Sequence, residues 1–200
     1  MLKKVFPALA VMLLALLLSA PGFACVGRTL YVGALDTTED KVLAQMLVLL
    51  INERTGTTVK IRYFDTEEAL YRALREDDEE KRADIIVENS RDALALLKKP
   101  DPGDLDQTYR QVKAIYESEL GLIWLNPFGF RQGSGDRPQA VSAPLVRQDV
   151  LTNYPLLPRV LNKLAGAIND ETFLRLTARV KDGEKPQNVS KDFLRANKFI

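Results

Sequence analysis

Residues Ala83 to Val87 read ADIIV, a short run with no polar break after Asp84. A strand whose two faces are both covered shows such continuous apolar character, because a parallel sheet carries helices on either side. Working outward, Val59 to Phe64 (VKIRYF) alternates apolar and polar residues and predicts a second strand. Thr29 to Leu35 (TLYVGAL) is a compact apolar and β-branched run ending near Gly33, and predicts a first strand. Between the first two, Val42, Leu43, Met46, Leu47, Leu49 and Leu50 recur at helical spacing. Asp36, Thr37 and Thr38 are candidate caps for that helix, Glu39 and Asp40 suit its positive end, and Gly56 stops it. Between the second and third, Thr66 caps an amphipathic helix through Ala69, Leu70, Ala73 and Leu74. Strand, helix, strand, helix, strand predicts an α/β layer, in which small ligands meet the carboxyl ends of the strands. The loops Asp36 to Glu39 and Glu88 to Asp92 lie at those ends.

Further along, a helix is expected from Asp104 to Leu120, then a fourth strand, Gly121 to Leu125 (GLIWL), running into Asn126-Pro127-Phe128-Gly129-Phe130. Arg131 to Ala140 (RQGSGDRPQA) is rich in turn formers and predicts a loop or linker. From Ala143 the expectation is helical, with Pro144, Pro155 and Pro158 marking segment starts. Later helices are expected over Asp170 to Val180 and near Ser190 to Asn197.

The amino end has a different character. Lys3 and Lys4, a leucine-rich stretch from Val11 to Leu18, and Ser19-Ala20-Pro21-Gly22-Phe23-Ala24 form the three regions of a cleaved export signal over residues 1–24. The apolar stretch is short against the roughly 20 residues a bilayer span needs. Cys25, the single cysteine, stands directly at the cleavage point. It is a candidate for lipidation, as in bacterial lipoproteins, or becomes a free amino-terminal cysteine. Either way no intramolecular disulfide is possible, so stability rests on the core. Export places the chain in the periplasm or cell envelope, with the membrane approached through an amino-terminal lipid alone.

The chain has no histidine, which excludes Ser-His and Cys-His nucleophilic sites and histidine-rich metal centres. Acids and bases nearly balance once Lys3 and Lys4 leave with the signal, so nothing favours nucleic acid. The run Arg75 to Arg82 (REDDEEKR) reads as a solvated helix end, and its paired acids lack an apolar pocket to raise a pKa for acid-base work. No catalytic constellation, metal site or cofactor motif is present, and no enzyme is expected.

Three blocks carry a resemblance. Gly33 to Glu39 (GALDTTE), Tyr116 to Phe130 (YESELGLIWLNPFGF), and the closing stretch APLVRQDVLTNYPLLPRVLNKLAG from Ala143, INDETF from Ile168 and VSKDFLRANKFI from Val189 together resemble the substrate-binding proteins of ABC transporters for glycine betaine, choline and related quaternary amines. The resemblance implies a single lobe of a type II periplasmic-binding-protein-like fold over residues 25–200, a mostly parallel sheet flanked by helices. It also implies a quaternary-amine ligand and an ABC permease partner. Where the family builds a second lobe, residues 131–142 make only a short linker here. The ligand-binding candidates are Asp36, Thr37, Thr38, Glu39, Asn89 and Ser90, although helix capping accounts for the same residues. Thr37 stands where the family carries an aromatic, Asn89 and Ser90 stand where it has a Tyr-Thr pair, and Arg131, Gln132 and Gly133 replace its polar pair and aromatic. Trp124, Phe128 and Phe130 are either core or an aromatic platform left uncovered. Without the second lobe, an exported accessory or protein-interaction module, possible homo-oligomer included, is the alternative to a solute-binding component.

Overall fold

The computed structural model describes residues 28–132 and 139–200, so the export signal and Cys25 lie outside the described residues. Five strands form the main sheet: β1 (Leu30–Leu35), β2 (Val59–Phe64), β3 (Ile85–Asn89), β4 (Leu122–Trp124) and β6 (Ala140–Arg147), in the order β2-β1-β3-β6-β4. A two-residue strand, β5 (Arg131–Gln132), pairs with the start of β6. β1 runs parallel to β2 and to β3, while β6 runs antiparallel to both β3 and β4. The helices are α1 (Thr38–Thr55), α2 (Glu67–Ala73), α3 (Ser90–Leu96), α4 (Leu105–Ile115), α5 (Gln148–Asn153), α6 (Leu157–Leu161), α7 (Asp170–Lys181) and α8 (Pro186–Ala196).

The three layers follow from which way each strand residue points. Leu30, Val32, Ile85 and Val146 enter a core shared with α1 and the carboxyl-terminal helices. Ile86, Ala143, Leu145 and Trp124 enter a second core shared with α2, α3 and Tyr116. The unbroken ADIIV run is therefore the mark of a strand buried on both faces, as its reading required. Trp124, Phe128 and Phe130 are each about 1% exposed and belong to the core, not to an aromatic platform.

Three expectations of secondary structure are corrected. The helix expected over Asp104 to Leu120 is regular only to Ile115; Tyr116–Leu120 widens into a π turn, which closes where Gly121, at φ 64°, donates its N–H to the Tyr116 carbonyl. The segment from Ala143 is strand, not helix, through Arg147. Pro144 misleads here, since proline is rare inside a sheet. In an antiparallel strand a residue's N–H and C=O face the same neighbour. Pro144's carbonyl accepts from Leu125, just beyond the end of β4, so the missing N–H faces a place where the neighbouring strand has already ended. Finally, Arg131 and Gln132 pair with Val141 and Ala140 across the predicted linker, and residues 133–138 lie outside the described residues.

The acidic and basic run also differs at its end. Arg82 is 2% exposed, its Nη2 lies 2.7 Å from Asp84 Oδ1, and Asp84 Oδ2 accepts the Tyr31 N–H at 2.8 Å. Breaking one side of such a buried pair strands the other charge, which is the costly case.

Glycine is required at Gly129, where φ is 120° and an added Cβ would come 3.0 Å from Gly166 Cα and 3.1 Å from the Ile168 carbonyl oxygen. Those atoms are backbone, pinned by bonds from Gly166 N to Pro127 O and from Ile168 N to Phe128 O, so they have no way to yield. Gly129→Ala is expected to cost about 2–3 kcal/mol in urea unfolding. Gly56→Ala, at φ 70° with nothing near its Cβ, should cost about 1 kcal/mol. Equal costs at the two positions would refute the close approach.

Candidate functional site

β1, β2 and β3 point the same way, so Leu35, Phe64 and Asn89 end on one edge of the sheet, and each strand leads within three residues into a helix amino terminus. Each of those helices is capped by a side chain. Thr37 accepts from Asp40 N at 3.1 Å, Thr66 from Ala69 N at 3.1 Å, and Asn89 from Arg91 N at 2.9 Å and Asp92 N at 3.3 Å. Three positive helix ends side by side favour acids, and the first turns supply them: Glu39 and Asp40 on α1, Glu67 and Glu68 on α2, Asp92 on α3.

The structure gathers all six predicted residues on this edge and shows what each already touches. Asp36 pairs with Lys41 at 2.5 Å, and Glu39 with Lys181 of α7 at 2.9 Å. Thr38 opens α1 directly after the Thr37 cap. Ser90 is fully buried, and its hydroxyl accepts the Val141 N–H at 3.3 Å. Arg91, which the sequence did not single out, is more heavily engaged: Nε donates to the Gln139 carbonyl at 2.6 Å, Nη2 to the Gly103 carbonyl at 2.9 Å, and Nη1 pairs with Asp101. The edge thus grips the start of the return strand.

Glu88, which the sequence placed at the start of a strand-end loop but not among the candidate site residues, is bonded on both carboxyl oxygens. Its Oε1 accepts the Asn89 N–H at 2.6 Å, and the Tyr71 hydroxyl donates to Oε2 at 2.6 Å. Loss of hydration pushes the Glu88 carboxyl up to about 8, its two hydrogen bonds oppose that rise, and Asp92 and Glu67 add to it. Glu67 and Asp40 are raised as well, each chiefly by loss of hydration and then by neighbouring acids. Glu39 is lowered, because the Lys181 bond and charge outweigh its partial desolvation.

Space on this edge is small. A cavity of about 10 Å³, bounded by Gly33, Ala34, Asp40, Ala44, Leu70 and Val87, has room for about one water. A larger hollow of about 460 Å³ lies at the opposite edge, between Arg75, Asp77, Gly121 and Arg147, away from every predicted residue. Tyr63, 46% exposed at the end of β2, is an aromatic open to solvent beside the predicted loops, and Lys41 already sits 5.9 Å from its ring centre. Among the described residues no group of three or more Cys, Asp or Glu is arranged to hold a metal.

Parallel strands that run directly into capped helix ends place a carboxyl edge where small ligands commonly meet such a sheet. The family model for the substrate-binding domain of ABC-type glycine betaine transport systems matches residues 28–135, more than half of the chain, and the chain belongs to that family. Among solved structures, a glycine betaine/carnitine/choline ABC transporter protein aligns with a TM-score of 0.76 at 15% identity, over 86% of this chain and 98% of that one. Ligand-free YehZ from Escherichia coli gives 0.76 at 14% identity, over 87% and 100%. Lactococcal OpuAC, closed around glycine betaine, gives 0.53 at 8% identity, over 86% and 97%. At such identities the likeness is one of fold, and it establishes the periplasmic-binding-protein-like architecture. A search of curated proteins finds no match.

Because Thr37 and Asn89 each satisfy helix N–H groups, Thr37→Ala and Asn89→Ala should each lower stability by about 1 kcal/mol in chemical denaturation. Substitution by Ser should restore most of it, and alanine variants as stable as the parent would show that the caps contribute nothing.

Proposed function

We propose that this chain is the exported solute-binding component of an ABC transporter for glycine betaine- or choline-like quaternary amines, built as a single lobe. The observation that supports it most directly is the family match over residues 28–135, which contains the whole of the acidic strand-end edge. A quaternary ammonium cannot donate a hydrogen bond, so it is recognised by aromatic faces and negative potential. Here Asp36, Glu39, Asp40, Glu67 and Asp92 provide the potential, and Tyr63 is the exposed aromatic. One open face forgoes the second wall of an aromatic cage, in which each contact is worth about 0.5–2 kcal/mol. Capture by the isolated chain is accordingly weak, near a millimolar dissociation constant or about 4 kcal/mol. An ABC permease is the partner this role requires. Export to the periplasm or cell envelope rests on residues 1–24, and no helix among the described residues is long and apolar enough to cross a membrane.

A second reading has its own support. Thr37, Asn89, Asp36, Glu39 and Ser90 are all engaged by the chain itself, and the hairpin of β5 and β6 stands where the resemblance places a second lobe. On that reading the protein is an exported accessory module, alone or as a homo-oligomer, that contacts a transporter component and does not take the solute.

Titration calorimetry with glycine betaine, choline, carnitine and proline betaine separates the two. Saturable heat with any of them, weakened in Asp40→Asn and Glu67→Gln, is expected of the first; no heat up to about 10 mM solute favours the accessory module. Mass spectrometry of the mature amino terminus is expected to find diacylglycerol on Cys25, and an unmodified cysteine there rules out the lipid anchor.

A further inference from the structure

Glu88 stands at the end of a series of oxygen contacts whose protons can be counted. From Glu88 Oε2 the Tyr71 hydroxyl is 2.6 Å away, the Tyr71 and Tyr116 hydroxyls are 3.0 Å apart, and Tyr116 donates to the Ala93 carbonyl at 3.2 Å. That makes three contacts in series, and each needs one proton to be a hydrogen bond. The two phenols bring two. With Glu88 ionised, Tyr71 donates to the carboxylate and Tyr116 has one proton for two acceptors, the Tyr71 oxygen at 3.0 Å and the Ala93 carbonyl at 3.2 Å, so one of those two contacts is left without a hydrogen bond. Tyr116 is fully buried and Tyr71 is 8% exposed, so the mismatch falls in the interior, where unmet polar groups are costly. A proton on Oε2 resolves it: Glu88 donates to Tyr71, Tyr71 to Tyr116, and Tyr116 to Ala93. Oε1, which already accepts the Asn89 N–H, remains the carbonyl oxygen.

We propose that Glu88 is a proton-operated switch on the strand-end edge. Protonated, it heads a continuous chain of donors tying β3 to α2, the π turn and α3. Ionised, it leaves one of the two Tyr116 contacts without a proton and sets a negative charge beside Asn89 and Ser90.

The surroundings fit this role. The charged groups that act on Glu88 are Asp92 from α3 and Glu67 from α2, both acidic, with Asp40 of α1 beside Glu67; Arg75 acts on Tyr116, at the far end. Across β6 its partner is Ala143, which carries no charge. Desolvation and these acids raise the folded-state value to about 8 from an ordinary 4.5. The neutral group's contribution to stability is therefore complete below about 4.5 and is lost as the pH rises through about 8. On the solute-binding reading, a cation held beside Asn89 would promote loss of this proton, and alkaline pH would strengthen cation binding. That consequence rests on the proposed function; the switch itself does not.

The test uses the full chain without solute, so absence of solute binding leaves its outcome intact. Thermal unfolding of the parent and of Glu88→Gln is followed from about pH 5 to about pH 9. The Gln amide keeps a donor for Tyr71 and does not titrate. The parent is expected to lose stability relative to Glu88→Gln by up to about tenfold in the folding constant per pH unit, levelling above about 8. Parallel curves overturn the proposal. Infrared titration of the parent reads the same group directly and does not depend on the variant folding. A carboxylic-acid carbonyl band present at neutral pH and vanishing through about 8 is expected, and carboxylate alone at neutral pH overturns the proposal. In Tyr116→Phe, Tyr71 is free to donate to the carboxylate with no mismatch behind it, so the transition moves to lower pH. A purely structural Glu88 would leave it in place.

Discussion

The insertion of Ala140–Arg147 between β3 and β4 is the pairing on which the other contacts depend. β3 is held on one side by β1 and on the other by β6 over five residue pairs, and among the described residues β4 joins the sheet through β6 alone. β6 also serves both cores at once, sending Val146 into one and Ala143 and Leu145 into the other. Its last residue, Arg147, donates to the carbonyls of Leu74 and Glu76 at the end of α2 and pairs with Asp149. One strand thereby fixes the register of the sheet, the depth of β4 and the position of α2. Without it, the parallel half would expose the β3 edge and the fourth strand would have no neighbour.

That strand was also the least legible element. β1, β2, β3 and the helices between them follow local rules: alternation or unbroken apolar character for strands, period-3.6 stripes for helices, and Thr or Asn at the caps. β6 obeys no local rule that outweighs Pro144, because what excuses the proline is the end of a different strand some twenty residues earlier. The site divides in the same way. Loop residues Asp36 to Glu39 and Asn89 to Ser90 were visible from the fold rule that ligands meet strand ends. Glu88 was placed in such a loop but its burial was not legible, because its partners Tyr71 and Tyr116 are brought to it from two other elements. Arg82 likewise closes a charged run whose other members are largely exposed, and only Asp84, two residues on, explains its burial.

Capping and ligand recognition are not rival accounts of the strand-end edge. Parallel strands followed at once by helices bring three helix amino termini together, and their combined positive potential calls for acids in the first turns. Those acids are then shared among the helix ends, Lys41, Lys181 and any cation arriving from solvent. Asp40 and Glu67 are both raised by burial, Asp40 further by Glu39 against the opposing Thr37 hydrogen bond and Glu67 further by Asp92, Glu68 and Asp40, so an added positive charge there would relieve repulsion. The aromatics, by contrast, have gone inward: Phe128 stacks on Phe130 and Phe130 on Phe173, with ring centres 5.9 and 4.1 Å apart. On the solute-binding reading proposed above, recognition on this edge would rest more on potential than on ring faces.

The same edge also fixes how such recognition can operate. On the single-lobe reading proposed above, β5 and β6 take the place of strands that would cross to a second lobe. Here the crossing strands pair with one another, Arg131 with Val141 and Gln132 with Ala140. Ser90 holds Val141, Arg91 holds Gln139, and Asp170 accepts the Arg131 N–H at 2.7 Å. Each of those bonds opposes a swing about the crossing, and Ser90 and Arg91 are the very residues that follow the candidate cap Asn89. On the proposed single-lobe, solute-binding reading, a positively charged solute would meet a preformed surface, with no closure to exclude water. On that reading, any selectivity must come from charge already in place, which gives the proposed protonation of Glu88 its weight.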